Sequence, residues 1–299
     1  MAIAAKNLGL PGTEYFGMGW LRDLPDMRDY TIENPEIKPL LVKLGLLKVR
    51  TLPASVDLRK WFSPIEDQKK LGSCTANAAA GLFEYFEKRA TGNWVDASRL
   101  FLYKTTRNLM GVTGDTGAYI RLTMAAMVLF GMPPEKFWPY TDKDPDFDIE
   151  PSAFHYAFAE NYKTIKYYRY DPPNLYTSEV PQEIKTNLAG GLPSMFGFVV
   201  YDSISQAAKT GAIPFPAKGE KVLGGHAVDA VGYDDNKKIK NNTNGAETKG
   251  ALLIRNSWGT VWGEKGYGWL PYDYVLSGLA TDWWSIIDAR WVDAGTFGF

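Results

Sequence analysis

Cysteine and histidine are nearly absent from this chain of 299 residues: one cysteine, Cys74, and two histidines, His155 and His226. A single cysteine excludes an intrachain disulfide framework, so redox conditions cannot unfold the protein, and a disulfide-free chain is compatible with a reducing compartment. One Cys and two His cannot assemble the usual four-ligand zinc site, so no structural metal is expected, and no cofactor. Excess charge is absent too. Thirty-three basic against 34 acidic residues leave a net charge of -1, with no bulk field to draw the chain onto nucleic acid or an anionic membrane. No stretch approaches the roughly 20 apolar residues of a spanning helix. The opening M-A-I-A-A-K-N-L-G-L-P-G, interrupted by Lys6, Asn7 and Pro11, is not read as a signal peptide.

What is present is core material: 45% of the residues are hydrophobic and 14% aromatic, enough for one large domain or two lobes. Residues 1–51, punctuated by Gly12, Gly17, Gly19, Pro25, Pro35 and Pro39, read as an N-terminal extension, with one or two helical turns in L-L-V-K-L-G-L-L. Residues 52–160 carry helical spacing. In the stretch opening at Cys74, Ala78, Leu82 and Phe86 recur at i+4, with Ser73 as expected N-cap and Gly92 as stop. A second helix is expected from Ile120 to Phe130, before Gly131, Pro133 and Pro134. Over residues 161–299 the period shortens to that of strands, in M-F-G-F-V-V, A-V-D-A-V-G-Y and A-L-L-I-R. The polar segment Asp234 to Lys249 reads as an exposed loop of a hairpin. The fold class is therefore α+β, a helical lobe facing a β-rich lobe.

A thiol attacks an amide only as thiolate, and a helix N-terminus together with a neighbouring imidazolium lowers its pKa. Cys74 has the first by sequence. His226 lies 152 residues downstream and His155 only 81, which favours His226 as base at the spacing of about 130 to 150 known for one class of thiol enzymes. An imidazole needs a third group to fix its tautomer, and Asn256 follows by 30 residues. Taken singly, each has a plainer reading: a buried small cysteine, a satisfied loop histidine, a strand-ending asparagine. Their joint order and spacing outweigh those readings. His155, among aromatics in A-F-H-Y-A-F, is assigned to packing. The acidic stretch D-K-D-P-D-F-D-I-E lacks the Gly and Glu of a calcium loop and reads as solvated. Asn241 opens an N-N-T sequon.

The strings Q-K-K-L-G-S-C, G-G-H-A-V and N-S-W-G-T-V-W-G-E-K-G-Y resemble, in that order, the three catalytic blocks of papain-like cysteine peptidases. Leu71 and Thr75 replace the usual cysteine and tryptophan, and in this G-S-C-T-A-N-A resembles the disulfide-free bacterial branch. The resemblance implies a two-lobed fold, a helical left lobe and an antiparallel β-barrel-like right lobe with the cleft between them, spanning residues 52–299. It implies hydrolysis of peptide or protein substrates, extended in the cleft with an apolar residue two before the cut. Gln68 would be the oxyanion donor, Trp258 the shield of the Asn–His bond and Trp262 an aromatic shelf. Gly117 and Ala118 would form the backbone-pairing strand. Gly225 and Ala227, around the base, suggest a pocket without a fixed charge. The extension is expected to act as the chain's own inhibitor, as in a zymogen, or to be a surface strap. Two rivals use the same residues: a papain-fold binding protein without turnover, and an acyl-transfer enzyme.

Overall fold

In the computed structural model, residues 16–46, 51–163 and 166–288 are described; the opening dodecapeptide read above lies outside them. The chain begins with a two-residue strand, β1 (Trp20–Leu21), and a short helix, α1 (Lys38–Lys43). Pro39 sits in the first turn of α1, where its missing N–H is harmless, and Gly45 turns the chain at its end with φ 76°. Ile37, Leu41, Leu44 and Leu46 around this helix are buried in the main core. Residues 30–46 are thus part of the packed body rather than a loose tail.

After β2 (Ser55–Asp57) come the helices of the first lobe: α2 (Cys74–Thr91), α3 (Arg99–Met110), then β3 (Ala118–Tyr119), α4 (Ile120–Leu129) and α5 (Ala153–Ala159). The first thirteen residues of α2 are buried, because its alanine-rich opening presents small side chains to every side. It ends at Gly92, whose φ of 82° makes the left-handed stop at little steric cost. Ser73 occupies the N-cap position but does not cap: its φ and ψ of −91° and 19° lie outside the extended region, and its Oγ meets Tyr140 Oη at 2.7 Å instead. Ser98 does cap α3, accepting from Phe101 N.

The second lobe holds β4 (Lys166–Arg169), α6 (Val180–Ala189), β5 (Ser194–Tyr201), β6 (Val222–Lys240), β7 (Glu247–Arg255), β8 (Tyr267–Pro271), α7 (Tyr272–Leu276) and β9 (Ala280–Ile287). Its sheet has seven strands in the order β4-β9-β5-β6-β7-β8, with β2 also on β6, and every pairing within it is antiparallel. The expectation of an exposed loop from Asp234 to Lys249 is corrected. β6 and β7 continue through it as a paired arm, Lys238 opposite Lys249 and Lys240 opposite Glu247, leaving only residues 241–246 as the turn. Backbone pairing and a Lys238–Glu247 contact override the polar composition. Asn241 is buried, its Nδ2 donating to Phe215 O and Glu220.

Candidate active site

Cys74 begins α2 at the junction of the two lobes and is fully buried. The backbone amides of Ala227, Gly19 and Thr75 are near enough to its sulfur to favour the thiolate. Ala227 follows His226 on β6, so the helix that begins at Cys74 and the strand of His226 meet here. His226 Nε2 lies 2.8 Å from Asn256 Oδ1. The same Oδ1 accepts from Ser257 N at 2.8 Å, which identifies it as the oxygen. The imidazole therefore carries its proton on Nε2, and Nδ1, which has no hydrogen-bond partner among the described residues, keeps a free lone pair. Trp258 stacks on the imidazole at 4.5 Å, with Trp262 edge-on to Trp258 at 5.5 Å. Both indoles are buried, so water is kept from the Asn–His bond.

Gln68 is also buried, and its carboxamide is held on both atoms. Ser257 Oγ donates to Oε1 at 2.5 Å, while Nε2 donates to Leu71 O at 2.8 Å and to Gly17 O at 2.9 Å. The bond from Ser257 dictates which end of the amide faces the cleft. Its role was not read from the sequence, although the N-S-W string contains it.

Residues 16–21 run across Trp258, Gln68 and β3. Phe16 stacks on Trp258 at 4.7 Å. Gly19 O accepts from Ala118 N at 2.8 Å, and β1 pairs parallel with β3. Gly19 passes so close to Gly72 that a Cβ would lie 1.8 Å from Gly72 O, and a Cβ on Gly117 would lie 2.3 Å from Gly19 O. Glycine is the residue that fits at both positions. The Trp20 indole occupies a pocket walled by Gly197 and Gly225, where an added Cβ would fall 1.9 Å and 2.8 Å from indole atoms. Its Nε1 donates to Asp282 Oδ2 at 3.1 Å.

Asp282 corrects the expectation of a pocket without a fixed charge around Gly225 and Ala227. It is fully buried, it accepts from Trp284 Nε1 at 2.7 Å, and Arg169 stands 3.3 Å from its Oδ1. Burial pushes its carboxyl up to about 6, against the pull of Arg169. It was missed because it lies 57 positions after Gly225 and reaches the pocket only through the β5–β9 pairing.

Burial also governs the titration of Cys74 and His226. It pushes the Cys74 thiol up to about 11, although the amides of Ala227, Gly19 and Thr75 favour the thiolate. It lowers His226 to about 4, although the bond to Asn256 favours the imidazolium. With residues 16–21 in place both groups are therefore neutral near pH 7. His155 stands apart on α5, its ring nitrogens on Ser152 Oγ and Phe137 O, as packing requires. Asp148, in the acidic stretch, pairs with Lys104 and Arg107.

Comparison with known proteins follows the same lines. The family model described as papain family cysteine protease matches residues 52–283. Xylellain, a cysteine protease from Xylella fastidiosa, superposes with a TM-score of 0.73 at 34% identity, covering 92% of this chain and 97% of its own. An uncharacterised peptidase C1-like protein of Acanthamoeba polyphaga mimivirus is 34% identical over 90% of this chain and 86% of its own length. Cysteine proteinase 2 of Entamoeba histolytica is 29% identical over 87% of this chain and 74% of its own.

Proposed function

Because this chain belongs to the papain family of cysteine proteases, we propose that its peptide-bond hydrolysis runs through Cys74, His226, Asn256 and Gln68, and that residues 16–29 hold the enzyme latent. The observation that carries the catalytic assignment is the His226 ring. It is tied by Nε2 to Asn256 Oδ1, stacked on Trp258, and followed in the chain by the amide that touches Cys74.

In the open cleft the Cys74 proton passes to His226 Nδ1, giving thiolate and imidazolium. The sulfur attacks the scissile carbonyl, and the oxyanion takes hydrogen bonds from Gln68 Nε2 and the Cys74 amide. His226 then protonates the leaving amine as the C–N bond breaks. Water, deprotonated by His226, hydrolyses the thioester and returns the sulfur. Gly117 and Ala118 supply the backbone that pairs with extended substrate, as they pair with the strap. Gly225 and Ala227 flank the base on the opposite side, with Trp262 behind Trp258.

Latency is supported by what the strap places at each catalytic atom. Attack requires one peptide to present its carbon to the sulfur and its oxygen to Gln68. Here the carbonyl on Gln68 is that of Gly17, whereas the group on the sulfur is the Gly19 amide, so the two contacts fall on different peptides. The strap is held further along by Arg121 on α4, which pairs bidentately with Asp29 at 2.7 Å, bonds Asp23, and donates to Leu24 O.

Substitution of Gly19 by Ala in the full chain tests this reading, since the new Cβ has no room beside Gly72 and drives the strap out. Hydrolysis of a fluorogenic peptide should rise at least tenfold, and Cys74→Ala should abolish it in either background. Unchanged turnover in Gly19→Ala would remove the inhibitory role, and retained hydrolysis in purified Cys74→Ala would remove the nucleophile.

A further inference from the structure

Arg255 immediately precedes Asn256 and is almost wholly buried at the junction of the lobes. Its strand partner across β6–β7 is Asp229, three residues after His226 and fully buried. The Arg255 Nη1 stands 4.0 Å from Asp229 Oδ2. Its Nη2 leaves the sheet and donates to Pro64 O at 2.7 Å and Ser63 Oγ at 3.2 Å. That loop delivers Gln68 four residues later. The guanidinium also rests directly on α2: a Cβ on Gly81 would lie 2.4 Å from Nη1 and 2.8 Å from the Asp229 carboxylate. Gly81 is seven residues after Cys74, about two helical turns. One side chain thus touches the oxyanion donor's loop, the nucleophile's helix and the base's strand, and adjoins Asn256 through the backbone.

A buried ion pair is a poor source of net stability, since desolvation offsets most of the attraction. The Asp229 carboxyl, with no hydrogen-bond partner among the described residues, is not an efficient way to stabilise a core. What a planar, five-donor guanidinium supplies is geometry, fixing several groups at set distances from one another. We propose that Arg255 is a positioning residue for peptide hydrolysis: it clamps the Gln68 loop and the Cys74 helix onto the strands of His226 and Asn256, and so sets the oxyanion donor relative to the sulfur. The proposal rests on the reading of Gln68 and Cys74 given above.

Lysine at 255 keeps the charge but loses the fork that reaches Ser63, Pro64 and Asp229 together. The test measures kcat and KM of the full chain, per mole of Cys74 titrated by a thiol-reactive epoxide, for Arg255→Lys, Ser63→Ala, Gln68→Ala and the doubles with Gln68→Ala. Every variant is built in the Gly19→Ala chain, whose strap is displaced, because Gln68 Nε2 also donates to Gly17 O and Gln68→Ala would otherwise loosen the strap as well. We expect Arg255→Lys to reduce kcat about tenfold with KM within about twofold, as for sub-ångström misplacement of catalytic groups. In that background Gln68→Ala should cost only a few-fold instead of its own ~10²-fold, a non-additivity that marks coupled residues. Ser63→Ala should show the same coupling at smaller amplitude, and decides the matter if the lysine variant does not fold. Wild-type kcat in Arg255→Lys, or full additivity with Gln68→Ala in the folded variants, would overturn the proposal. A Gln68→Ala protein with undiminished kcat would instead overturn the oxyanion reading, leaving the kcat of Arg255→Lys as the separate measure of Arg255.

Discussion

The indole N–H of Trp20 reaches Asp282 across 3.1 Å, joining the strap to the last strand of the sheet through a bond between residues 262 positions apart. The N–H is the indole's one polar group, and its ring lies against the two glycine walls. Removing it should free the strap. In full-length Trp20→Ala we expect hydrolysis to rise at least tenfold and the thermal midpoint to fall, since deleting a buried Trp costs about 3–5 kcal/mol. Peptide turnover and a melt on the same sample check both signs.

The Gln68 carboxamide is aimed by Ser257 Oγ. Ser257→Ala leaves the amide held through Nε2 alone, which loosens its aim, so kcat should fall, by less than the ~10²-fold expected for Gln68→Ala. Steady-state kinetics of the two variants would rank them. Equal losses would mean that the serine matters for more than the aim of the amide.

In the proposed mechanism Asn256 orients the base without reacting. Asn256→Ala should therefore slow hydrolysis without abolishing it, because the imidazole survives while its Nε2 proton loses its acceptor. Single-turnover acylation rates measure this, and a complete loss would assign Asn256 more than orientation.

Closure of the strap should depend on pH, and the sign follows from the Cys74–His226 pair. With the strap seated, the thiol is pushed up to about 11 and keeps its proton; in the open cleft the pair loses its shared proton at lower pH, as an unburied thiol does near 8.5. The closed form keeps a proton that the open form has lost between about 8.5 and 11, so raising the pH through that window favours opening. Epoxide labelling of Cys74 in the full chain should accelerate over this range relative to Trp20→Ala, which is already open. A constant ratio between the two proteins would remove the pair as the titrating group.

Cys74, His226 and Asn256 stood out as candidates because they stand in short strings of fixed order, and Gln68 through the resemblance of the string that holds it. The alternation of apolar residues likewise marked the β-rich half. Asp282, Ser257 and Arg255 were not legible as site residues, since each acts through a contact set by sheet register or lobe packing rather than by local pattern. Ser73 misled for a related reason: Tyr140, 67 residues away, takes the hydroxyl that a helix start would otherwise use. The arm of β6 and β7 was read as a loop because its lysines and asparagines hide a backbone ladder that needs no apolar face.

Cys74 is fully buried with Gly19 beside it, so on the proposed latency no electrophile reaches the thiol while the strap is seated. An activity-based probe applied briefly would consequently tag only those molecules caught unlatched. The tagged fraction would then serve as a census of the competent population, read from a gel without any substrate being known.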